Sequence, residues 1–87
     1  MNKYNDTLNV INHMAMVKMA MNQHKGNIED VYIDDLVKML DDETRELVEA
    51  IDKDDTLRVI EEAADCMNFL VAIVHQRIDK YRGRNHD

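Results

Sequence analysis

"LVKMLDDETRELVEAI", residues 36–51, is the stretch on which the fold turns. At about 100° per residue, Leu40, Leu47 and Ala50 fall within roughly 40° of Leu36, the mark of an amphipathic α-helix with one apolar seam. Glu43 falls on the same line. A carboxylate aimed at a core needs a partner, because burying an unpaired charge is costly.

The rest of the chain agrees with a helical reading. Its 87 residues hold no proline and only two glycines, so nothing supplies the turn chemistry of a sheet. Chain length allows one domain, residues 1–87, with one modest core near the size at which association often adds stability. Eighteen acidic against eleven basic side chains give a formal charge of −7, which argues against a nucleic-acid partner, since phosphate contacts need a positive surface. One cysteine, Cys66, excludes an internal disulfide and fits a reducing cytoplasm, where a lone buried thiol usually serves as a small apolar residue. The N-terminus "MNKYNDTLNV" lacks the apolar run of a signal peptide. "AADCMNFLVAIV" is too short for a membrane span and contains Asp65 and Asn68, so the expected location is the cytoplasm, with no membrane partner.

Three helices are expected. Asp6 or Thr7 caps the first, which runs to about His24 and stops at Gly26. It carries two apolar stripes, Val10, Met14, Val17 and Met21 on one side and Leu8, Ile11, Ala15 and Met19 on the other, so two neighbours are expected. After the loop "KGNIEDVYI", Asp34 or Asp35 caps a second helix reaching about Lys53. A short break, "DKDDT", precedes a third helix from Asp55 or Thr56 to roughly Tyr81, with residues 81–87 as a frayed, mildly basic tail. On this third helix Ile60, Ala64, Met67, Val71, Val74 and Ile78 form one stripe, and Phe69, Ala72 and Ile73 a second on the far side. Two other helices of so small a chain cannot cover both, which points to a homo-oligomer, dimer or tetramer, with a four-helix-bundle-type core.

The acids follow a mirrored pattern. Glu46 lies one turn beyond Glu43, and on the third helix Glu62 and Asp65 repeat that spacing. In an antiparallel hairpin pivoting at Asp54, Glu46 and Glu62 are each eight residues from the pivot, and Glu43 and Asp65 each eleven. Both pairs therefore sit level, roughly 12 and 16 Å from the turn. Like charges 4 Å apart repel by on the order of 4 kcal/mol at an effective dielectric near 20, so a cation is expected among them. All-oxygen ligands suit a hard ion, Mg²⁺ or its substitute Mn²⁺. The simpler alternative makes Glu43 and Glu46 surface acids paired with Arg45, Lys53 or a neighbour. A di-iron site would need a histidine three residues after a glutamate, and none of His13, His24, His75 or His86 has one. No phosphate-cradling glycine loop or nucleophile constellation is visible.

"DDETRELVEAI", followed fifteen residues beyond Glu46 by "EEAADCMNFL", resembles the MazG-like members of the all-α nucleoside triphosphate pyrophosphohydrolases, whose signature is an E-E-x-x-E helix and then an E-x-x-D helix. "NQHKG", residues 22–26, is similar to the Asn-x-His-Lys-Gly segment of small members, many of them from phages. The resemblance implies Mg²⁺-dependent hydrolysis of a (deoxy)nucleoside triphosphate to the monophosphate and pyrophosphate. It assigns Glu43, Glu46, Glu62 and Asp65 to the metal, with Glu43 or Glu46 as the base that activates water. Lys25 matches the phosphate-contacting lysine, and Asn22 and Asn68 stand where nucleotide contacts are expected. Two departures from the pattern are Asp42 in place of the first glutamate and Asn27 and Ile28 where an aromatic residue often follows. The rival expectation is a non-catalytic helical module, such as a small phage protein that binds a host factor, in which the acids would be dispensable.

Overall fold

The computed structural model describes residues 2–22 and 30–86. The chain is all-α: α1 (Asn5–Met21), α2 (Ile33–Asp52) and α3 (Thr56–His86), with no strand among the described residues. Helix α3 is the centre. Both α1 and α2 pack on it, and among the described residues neither packs on the other.

The α2–α3 hairpin closes through a tight C-terminal cap. Asp54 takes a left-handed conformation, φ 55°, and is the only non-glycine residue described with a positive φ. Its N–H donates to the Ile51 carbonyl at 3.0 Å, and the Asp55 N–H reaches back to Ala50 at 3.1 Å. That pair of bonds is the Schellman pattern, which satisfies carbonyls at a helix end. Asp55 then caps α3, its Oδ1 accepting the Arg58 N–H at 3.2 Å. The pivot and the start of α3 thus fall where the sequence puts them.

Other helix ends differ from expectation. Neither Asp6 nor Thr7 caps α1; Tyr4 holds the cap position without a side-chain bond, while Asn2 Oδ1 accepts the Tyr4 N–H at 2.8 Å and so organises the preceding turn. Asp34 and Asp35 lie inside the first turn of α2, where they favour the helix dipole without capping it; the extended Tyr32 precedes the helix directly. The described part of α1 ends at Met21 with Asn22 as its C-cap, and His24 and Gly26 lie outside the described residues. Helix α3 runs through the expected tail to His86: nothing there breaks a helix except Gly83, and Lys80 and Arg82 complement the dipole at that end.

The α2 seam is as read. Leu36 is fully buried, Ala50 nearly so, and Leu40, Glu43 and Leu47 are half-buried along the same line. Ala15, Ala64 and Ala72 complete the core, whose small side chains allow close helix approach. Helix α1 has one neighbour in the chain where two were expected. Its inner face carries Ile11, Met14, Ala15 and Lys18, while Val10, Val17 and Met21 stay exposed.

Candidate metal centre

Two antiparallel helices bring three carboxylates to one place. One oxygen each from Glu43, Glu62 and Asp65 lies within 4.8 Å of the others. Level with them, Thr44 Oγ1 meets Cys66 Sγ at 4.0 Å, which fixes the register of α2 against α3. Glu62 is only 6 % exposed, too little for water to replace a missing partner. Yet the Oε2 atoms of Glu43 and Glu62 are buried with no hydrogen-bond donor. Orphaned buried oxygens in a cluster of like charge fit a hard divalent cation as the group that would complete them.

The electrostatics carry the same message. Burial, Glu62 alongside, and the negative charges of Asp65 and Glu46 push the Glu43 carboxyl up to about 8. Burial raises Glu62 and Asp65 as well, and for Asp65 the charge of Lys18 offsets part of the rise. Burial also raises the Cys66 thiol, which keeps it protonated and consistent with a packing role.

Glu46 borders this group. It is exposed and is not one of the three mutually close carboxylates, but its side chain lies against those of Glu43 and Glu62 and its charge is felt by all three members. Helical steps put it roughly 80° off the Leu36 line, against about 20° for Glu43, so it flanks the seam. Asp42 is also outside, held at the surface by Arg45, which pairs with Asp41 at 2.7 Å and Asp42 at 3.7 Å. Arg45, one of the partners that the simpler alternative offered to Glu43 and Glu46, is thus engaged by Asp41 and Asp42 instead.

Asn22 is exposed at the end of α1. Lys25 lies outside the described residues. Asn68 is 7 % exposed, one turn beyond Asp65; its Nδ2 donates to the Ala15 carbonyl at 3.0 Å, tying α3 to α1, and its Oδ1 is buried without a donor.

Two cations touch the cluster that the sequence reading did not single out. Lys18 Nζ on α1 is 3.4 Å from Asp65 Oδ2, and Arg58 Nε is 3.3 Å from Glu62 Oε1. Arg58 was findable four residues before Glu62. Lys18 carried a subtler sign: it lies within roughly 20° of Ile11 on the inner face of α1, a charge on an apolar line just like Glu43.

A family model for the MazG nucleotide pyrophosphohydrolase domain matches residues 31–85. The chain belongs to this family. In this MazG domain the match takes in α2, most of α3 and the acids Glu43, Glu46, Glu62 and Asp65, and stops short of α1. Comparison with curated proteins and with solved structures yields no match.

Proposed function

We propose that this MazG domain hydrolyses a nucleoside triphosphate to the monophosphate and pyrophosphate with Mg²⁺, or Mn²⁺ in its place. The observation that carries the proposal is the convergence of Glu43, Glu62 and Asp65, with two buried oxygens left unpartnered, in a family of nucleotide pyrophosphohydrolases.

Glu43, Glu62 and Asp65 would hold the ion. When bound, it supplies positive charge to the triphosphate and lowers the pKa of water. Arg58 pins Glu62 through Oε1, while Oε2 is buried without a partner. Glu46, beside Glu43 and Glu62 and more exposed than either, suits the general base: its carboxylate accepts a proton from water as the water oxygen bonds to the α-phosphorus. The α–β bridging P–O bond breaks, and its electron pair leaves with pyrophosphate. Nucleotide contacts from Asn22, Lys25 and Asn68 belong to this proposal.

The test is a panel of ribo- and deoxyribonucleoside triphosphates, assayed for monophosphate and pyrophosphate with and without Mg²⁺. At least one nucleotide should be cleaved only with the metal. Silence across the panel would favour the non-catalytic helical module.

A further inference from the structure

Asp65 belongs to two constellations at once. It is a member of the carboxylate cluster, and it is the partner of Lys18, at 3.4 Å, with side chains 18 % and 22 % exposed respectively. An ammonium and a divalent cation cannot both sit tightly against one half-buried carboxylate without repelling each other. One must give way. Lys18 is equipped to do so: its charge is a compact ammonium on a flexible four-carbon stem, and it retains a path to solvent.

Arg58 is placed differently. It is half exposed and reaches Glu62 along its own helix, so solvent screens its charge and an ion in the cluster need not displace it. Lys18 comes from α1, outside the segment that matches the family model.

Building on the proposed function, we infer that Lys18 holds the place of the metal and then serves the substrate. It neutralises Asp65 in the metal-free chain, yields that carboxylate to the incoming divalent ion, and turns its ammonium to the phosphates of the bound nucleotide. The triphosphate is the one new anion that enters beside it. This exchange keeps a positive charge in the site throughout and couples metal loading to phosphate binding.

Calorimetric titration of the whole chain with Mn²⁺, without nucleotide, tests the first half. Lys18→Met should bind Mn²⁺ more tightly, by about tenfold, which corresponds to removing one competing charge. Titration with the manganese–tripolyphosphate complex tests the second half, and here the same variant should bind about tenfold more weakly. Lys18→Gln, which keeps a polar head, repeats both measurements should Lys18→Met lose helix content by circular dichroism. Unchanged or weaker Mn²⁺ binding in the folded variants overturns the placeholder role, and unchanged tripolyphosphate binding overturns the phosphate role. Glu43→Gln separates this inference from the reading beneath it: if that variant binds Mn²⁺ as the parent does, the cluster is not the metal site and both fail.

Discussion

Glu43 is the residue on which the site depends, and its protonation gives it a measurable signature. Its ordinary value near 4.5 is pushed up to about 8 in the folded chain, so between those limits the folded chain keeps a proton that the unfolded chain releases. Stability of the metal-free protein is then greatest below pH 4.5, as far as this group is concerned, and falls as pH rises through 8. Thermal melts without metal should show that decline, and Glu43→Gln should flatten it. At pH 8 the variant should be more stable than the parent by about 1 to 2 kcal/mol, a figure discounted for partial solvent contact. Metal binding should release protons and strengthen with pH up to about 8, because the ligand must first lose its proton. Asp65→Asn behaves differently, since it also strips Lys18 of its partner, and should not stabilise the metal-free chain. Glu46→Gln should leave Mn²⁺ binding nearly intact while product release falls by roughly 10²- to 10⁴-fold, the usual worth of a general base. An unchanged rate in steady-state assays would move the base elsewhere.

The helices show what a sequence reveals and what it hides. The hairpin was legible because its determinants are local: a seam repeating along α2, a turn at Asp54, and acids at equal distances from it. Those distances set the height of each acid but not its reach, and Glu46, level with Glu62, lies beside Glu43 and Glu62 without joining the three mutually close oxygens. The α1–α3 contacts were not legible. Asn68 meeting Ala15 and Lys18 meeting Asp65 depend on the register of two helices far apart in sequence, which no local spacing encodes. Two substitutions test the elements. Asp54→Gly should strengthen the hairpin by up to about 1 kcal/mol, since glycine takes a left-handed conformation without steric penalty. Asn68→Ala should cost about 1 to 2 kcal/mol by removing the bond that ties α1 to α3. Urea denaturation measures both, and a neutral Asn68→Ala would show that the seam holds without its amide.

Taken as a whole, the molecule buries Glu62 and half-buries Glu43 and Asp65, while it leaves much of its apolar surface exposed. Leu36 is the only large side chain fully buried among the described residues, whereas Val71, Val74 and Ile78 of α3 are each more than two-fifths exposed. With Met67, Leu70 and His75 they line a groove of about 350 Å³ on the side of α3 away from Glu62 and Cys66. No helix of the described residues is long and apolar enough to cross a membrane. A second copy of the chain covering such stripes is the arrangement that the expected homo-oligomer requires. Its melting temperature should then rise with protein concentration, and Val74→Lys should reduce both the mass seen in sedimentation and the melting temperature. A concentration-independent melt with a monomeric mass would refute it. The central claim concerns the buried carboxylates, and it is tested most directly by comparing monophosphate and pyrophosphate release from the parent and from Glu62→Gln, at matched helix content and saturating Mg²⁺. The account predicts that the parent cleaves at least one nucleoside triphosphate and that the variant loses essentially all of that rate. Equal rates in the two proteins would contradict it.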